Sequence, residues 1–185
     1  MIRHRKIIGG GIASAATIAA ALLVVPALAT PNYGGFSPST KFFGTFAPFD
    51  YKAEKDGKWD LLLRSKGLTD VRVTEVSFPP NSSSGWHSHP GPNLLIAIEG
   101  EVVEYEGDDA LCVGHARTAT AVTGTTPKTG ETFGDAGGSH VHLVRNESST
   151  VAAKVLAIAF YPNGSSAPLT DSTRPRPNNC PSTVL

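Results

Sequence analysis

Charge is scarce in this chain of 185 residues: Asp, Glu, Lys and Arg make up 17% of it, and 16 basic residues are balanced by 16 acidic ones. That balance offers nothing to the phosphate backbone of a nucleic acid. Arg174-Pro-Arg-Pro177 is too short to act as a basic patch. Helical periodicity is missing after residue 30, and no repeat of solenoid length occurs, which excludes a helical bundle and a repeat array. The acidic run from Glu99 to Asp109 lacks the ligand spacing of a calcium loop and reads as a solvated strand face plus a turn. Cysteine is limited to Cys112 and Cys180. Neither lies near the N-terminus, which argues against attachment of the lipoprotein kind.

What is present instead is turn chemistry. The chain has 19 Gly and 14 Pro, which separate short apolar or alternating runs and favour an all-β domain. Strands are predicted at about 41–52, 59–65, 71–78, 86–89, 93–98, 101–106, 117–123, 140–145 and 151–161. Between them lie Asp56-Gly57, Pro79 to Gly85, Glu99-Gly100, Gly107-Asp-Asp109 and Gly134 to Gly138. Nine short strands of this kind suit a double-sheet jelly roll. The aromatic cluster Phe42, Phe43, Phe46, Phe49 and Tyr51 is too apolar for a linker and is expected to pack on the barrel or across a dimer interface.

The first 29 residues read as a secretory signal. Arg3 to Lys6 form a basic stretch, Ile7 to Val25 an uncharged apolar run, and Ala27-Leu-Ala29 a small-residue cleavage site. An uncleaved membrane anchor is the alternative for this segment. Either way the domain is expected to be secreted or otherwise extracytoplasmic. Removing residues 1–29 leaves 13 basic against 16 acidic residues. In an oxidising compartment the two cysteines are expected to pair, tying the tail onto the loop after Asp108-Asp109. Two free thiols, or a Cys112/His115 ligand pair, are the competing readings. The segments are then 1–29 signal, 30–40 N-terminal extension, 41–163 a single barrel domain, and 164–185 an irregular C-terminal tail.

Histidine carries the chemistry. His87 and His89 stand one residue apart in Gly85-Trp-His-Ser-His-Pro-Gly91, and His140-Val-His142 repeats the spacing about fifty residues later. On a strand, residues two apart share a face, so each pair can aim two imidazoles at one point. Neutral imidazole is the commonest ligand for mid-period divalent metals. Hydrogen-bonded core histidines are the bland alternative for any one pair. By the same alternation Trp86 faces away from His87 and is expected to pack rather than stack a substrate. Counting by two from His89 and His142 brings Asn93, Leu95, Val144 and Asn146 inward, while Arg145 points outward.

The segment from Trp86 to Gly100 resembles the first motif of the cupin family: His-x-His, a short spacer, Glu, then six residues to Gly. His87, His89 and Gly100 match it, and Asn93 stands where the motif has Glu. His142 and Asn146, after Gly130-Glu-Thr-Phe133 and Gly137-Gly138, are similar to the second motif, although the usual Pro-x-Gly before the second His is replaced by Gly137 and Ser139. From about Lys41 to about Asn163 the chain is similar to small, secreted, single-domain cupins of actinobacterial type. The resemblance implies a double-stranded β-helix, the cupin jelly-roll barrel, with His87, His89 and His142 as ligands of one divalent transition metal. It also suggests a homodimer.

Asn93 is the departure with consequences. A neutral amide in place of a carboxylate leaves the charge of the metal uncompensated, which suits Fe, Cu, Ni or Zn better than Mn or Mg. Asn93 and His140 are candidates for a fourth ligand or a position just behind the ligands. For general acid or base work His140 leads, with Tyr105 and Glu104 behind it. The functional expectation is a metal-dependent enzyme acting on a small molecule, an oxygenase first. A non-catalytic metal or small-ligand binder is the alternative, and a barrel with a degenerate site is the third.

Overall fold

In the computed structural model we describe residues 32–120, 129–165, 176–181 and 183–184. Residues 1–31, which include the predicted signal segment, the stretch 121–128 and most of the tail before residue 176 lie outside the described residues. Eleven strands run in chain order: β1 Ser37–Phe46, β2 Phe49–Lys55, β3 Trp59–Ser65, β4 Thr69–Phe78, β5 Asn93–Glu99, β6 Glu101–Glu106, β7 His115–Thr120, β8 Thr129–Gly130, β9 Thr132–Asp135, β10 His142–Arg145 and β11 Ala153–Pro162. All pairings are antiparallel, and no helix occurs among the described residues.

A five-stranded sheet in the order β1-β4-β11-β5-β9 faces a four-stranded sheet in the order β10-β6-β7-β8. The core between them takes Val76 and Phe78 from β4, Leu95 from β5, Phe133 from β9 and Ala153, Val155 and Ala157 from β11. Val102 of β6 and Val144 of β10 close it from the other side. Strand β11 shows why: Ala153, Val155, Ala157, Ala159 and Tyr161 are buried, and the residues between them are not. This period of two makes a one-sided strand. The all-β jelly-roll expectation holds.

A second apolar cluster lies on the outside of the four-stranded sheet. Leu143 of β10 meets Trp86, Cys112, Cys180 and Val184 there. A Cys112–Cys180 disulfide pins the tail in place, and Arg145 Nη1 donates to Thr183 O at 3.0 Å. Trp86 is fully buried against the tail, with its indole N–H toward Val184 O. Its packing role and the outward Arg145 both follow the alternation argument.

Several predicted elements differ. The strand expected at 41–52 is two strands, β1 and β2, interrupted by Ala47-Pro48, where proline removes a ladder N–H. The segment 86–89 forms no strand, only an isolated bridge between His87 and His142. Thr132–Asp135, whose second half falls in the turn predicted from Gly134 to Gly138, pairs with β5. The aromatic cluster stays largely outside the core of the single chain: Phe42, Phe43, Phe46 and Tyr51 are exposed, Phe49 is half-buried, and β2 pairs only with β3 in a separate hairpin. Gly100, with φ of 62°, makes the tight β5–β6 turn, where a Cβ would lie 2.4 Å from Ala152 O.

Candidate metal centre

Strand β10 and the segment before β5 bring the histidines together. His87 N donates to His142 O at 2.9 Å, and His142 N returns a bond to His87 O at 3.0 Å. Ser84 reinforces this pairing: its N–H donates to Val144 O at 2.9 Å, and Val144 N donates to Ser84 Oγ at 3.0 Å. His89 is held further along, where Gly138 N donates to His89 O at 2.7 Å.

The three rings converge, with centroids of His87 4.7 Å from those of His89 and 4.6 Å from those of His142. All three are buried, and they offer nitrogens that lie within 4.8 Å of one another. Nε2 of His89 and Nε2 of His142 stand 3.2 Å apart. Bonds of about 2.0–2.1 Å from nitrogen to zinc would span such an edge of a coordination shell.

The other ring nitrogens set the tautomers. Nδ1 of His87 donates to Gly85 O at 2.8 Å, which leaves Nε2 as the lone-pair atom. The Tyr161 hydroxyl donates to Asn93 Oδ1 at 2.9 Å, so at 3.1 Å it accepts from Nδ1 of His89. Nδ1 of His142 faces Glu104 Oε1 at 3.7 Å, and neither of these buried atoms has a hydrogen-bond partner among the described residues. Glu104 is otherwise paired with Arg117 at 3.1 Å. Each imidazole therefore has an oxygen on its Nδ1 side, the arrangement that orients a metal-ligating histidine. Burial, then the two neighbouring imidazoles, holds His87 well below the usual histidine range and keeps it neutral. The donor set thus fits a divalent transition metal.

The remaining sequence candidates separate. Asn93 lines the cavity, but its oxygen accepts from Tyr161 and its amide donates to Asp135 Oδ2 at 3.1 Å. Asn146 turns its amide to the carbonyls of Phe78, Pro79 and Val151, so it clasps backbone rather than facing the ligands. His140 precedes β10 and sits between Asp135 Oδ1 at 2.9 Å and Glu106 Oε2 at 2.8 Å. Its ring lies 5.9 Å from that of His142. Burial alone would lower its pKa, but Asp135 and Glu106 together raise it. Tyr105 points outward and donates to Glu147 at 2.7 Å. Leu95 and Val144 do line the cavity, with Phe36, Val76, Phe78 and Phe133.

Two residues of the site were missed. Asp135, whose side chain is fully buried, lies opposite Asn93 in the β5–β9 ladder and places Oδ2 3.6 Å from His89 Nε2. It was hidden because 134–138 reads as a glycine turn. Tyr161 was legible, since counting by two along β11 from Val155 brings it inward. Burial pushes its phenol up to about 12.

No protein-family profile matches this chain, and no curated protein does. Among solved structures the fold is similar to a cupin-like protein from Thermotoga maritima, at 21% identity over 48% of this chain and 56% of that one, with a TM-score of 0.36. This chain therefore spans little more than half of that protein. It is also similar to a cupin superfamily protein from Desulfitobacterium hafniense, at 15% identity over 66% and 81% of the two chains, with a TM-score of 0.36. The polyketide cyclase RemF from Streptomyces resistomycificus is similar at 16% identity over 59% and 72%, with a TM-score of 0.37.

Proposed function

We propose that this protein is an extracytoplasmic cupin in which His87, His89 and His142 hold one divalent transition metal, Fe, Cu, Ni or Zn, and that it acts as a metal-dependent enzyme on a small molecule. The observation that carries this reading is the convergence of three buried imidazoles, each oriented from its Nδ1 side, at the edge of an apolar cavity. A dication there supplies Lewis acidity, or with Fe or Cu the redox chemistry of an oxygenase. The protein's own part is to fix the tautomers of His87 and His89, through Gly85 O and Tyr161, to set Glu104 facing Nδ1 of His142, and to keep bulk water out with Leu95, Phe133 and Val144. The Cys112–Cys180 disulfide supports an oxidising compartment.

The cavity favours a second reading. At about 30 Å³ it has room for about one water molecule and not for an organic substrate. That size suits a non-catalytic metal binder, or an enzyme whose substrate stays outside while a diatomic or a water enters. Elemental mass spectrometry on protein purified without chelators or a histidine tag tests the shared claim. Near-stoichiometric metal that disappears in His87→Ala/His142→Ala is the expected result. No metal in either protein, even after reloading, would leave the site without its proposed occupant.

A further inference from the structure

Three neutral imidazoles around a dication leave two positive charges in a cavity whose other lining residues carry no charge: Ser84, Asn93 and apolar side chains. An uncompensated charge in such a place is costly. Two buried carboxylates come near the rings, and they differ in position. Glu104 lies on the Nδ1 side of His142, already paired with Arg117. Asp135 lies on the Nε2 side of His89, where a metal would sit.

Resting on the metal reading above, we infer that Asp135 is the anionic partner of the three-histidine centre, supplying from across the β5–β9 ladder the charge that Asn93 does not carry. The structure holds it in place for that task. Its Oδ1 accepts from Gly137 N at 2.8 Å and from His140 Nδ1 at 2.9 Å. Its Oδ2 accepts from Asn93 Nδ2 at 3.1 Å and keeps a lone pair toward His89. The Gly137 N–H depends on a turn only glycine makes: φ is 75°, and a Cβ there would lie 2.4 Å from the backbone of Gly91. Asn93, in register with Asp135, thereby becomes the clamp on the carboxylate, with its own oxygen fixed by Tyr161. Asp135 is a positioning and charge-balancing residue, acting on the metal from beside the ligands.

The test is Zn(II) affinity of the full chain by competition with a chromophoric chelator, with the Co(II) visible spectrum as a second readout and far-UV circular dichroism as a check of folding. Asp135→Asn is expected to weaken Zn(II) binding about ten- to a hundredfold, the usual effect of losing a group that supports the ligands without being one, and to shift the Co(II) bands. The exchange variant Asn93→Asp/Asp135→Asn keeps one carboxylate and one amide on the same rung, with an acceptor oxygen left for Gly137 and His140. It is expected to recover most of the lost affinity. Equal affinity in Asp135→Asn and the unaltered protein would overturn this inference alone, as would a folded exchange variant as weak as Asp135→Asn. If Asp135→Asn does not fold, the exchange variant decides. Absence of Zn(II) binding by the unaltered protein would overturn both the metal reading and this inference.

Discussion

The inner surface of the barrel has an apolar floor and a polar rim, and the same strands supply both. Strand β5 gives Leu95 to the floor and Asn93 to the rim, β9 gives Phe133 and Asp135, and β10 gives Val144 and His142. On β11, Val155 and Ala157 lie in the floor and Tyr161 in the rim. In each of β5, β9 and β10 the two residues are two positions apart, so the pleat aims them the same way. Only their chemistry differs. A barrel needing stability alone would continue the floor to the rim, because buried polar groups offer little net gain over apolar ones of the same shape. The rim is therefore the part of the lining to which we assign function, and the floor is the part that holds the two sheets together.

This division predicts that the two regions break independently. Single replacement of His87, His89 or His142 by Ala should weaken metal binding by more than about a hundredfold, beyond the usual effect of an outer group, with the apo-protein still folded. Metal competition assays beside thermal melts would show whether affinity and stability separate in this way. In the floor, Phe133→Ala should cost about 3–5 kcal/mol in urea unfolding, and the surviving folded protein should bind metal normally. On the outer face, Cys112→Ser should cost about 2–4 kcal/mol by freeing the tail, again with unchanged affinity. If any of these variants lowered both quantities together, floor and rim would not be separable.

A smaller effect should appear with pH. His87 titrates in the folded protein well below 6.5, because of its burial and then the two nearby imidazoles. The unfolded chain then binds the extra proton first, so the stability of the metal-free protein should be full above 6.5 and fall as pH drops toward the folded value. His140 has the opposite sign: its pKa is raised, so its contribution is full below 6.5 and is lost as pH rises through the folded value. Denaturation curves between pH 5 and 8 should therefore lose their acid-side slope in His87→Ala and their alkaline-side slope in His140→Ala. On metal affinity, His140→Ala should fall short of the roughly tenfold loss of an outer group, because its ring does not join the three.

Most of the floor was legible in the sequence, since alternation along 71–78, 93–98 and 151–161 marks the buried faces directly. The same counting placed Trp86 on the outside and Leu95 and Val144 within. It failed where the backbone stops being a regular strand. His140 precedes β10, so alternation from His142 could not fix its direction. The loop before β5 pairs with β10 only through the isolated bridges Ser83–Arg145 and His87–His142, so the convergence of His87 on His142 is a tertiary fact. Asn146 was expected to face inward, but it lies just past β10 and is consumed by three carbonyls. Asp135 was lost among glycines that looked like a turn, although Thr132–Asp135 is a strand in register with β5. The aromatic run from Phe42 to Tyr51, expected as one strand packed on the barrel or across a dimer interface, is split at Ala47-Pro48, which leaves β2 to pair only with β3.

The most direct test is X-ray absorption at the zinc edge of the Zn(II)-loaded protein, which reads the ligands and not only their effect on affinity. The account predicts three imidazole nitrogens at about 2.0–2.1 Å, reduced in number when His87 or His142 is replaced by Ala. A spectrum without imidazole scattering, or one that does not change in those variants, would contradict the assignment of the rim as a metal centre.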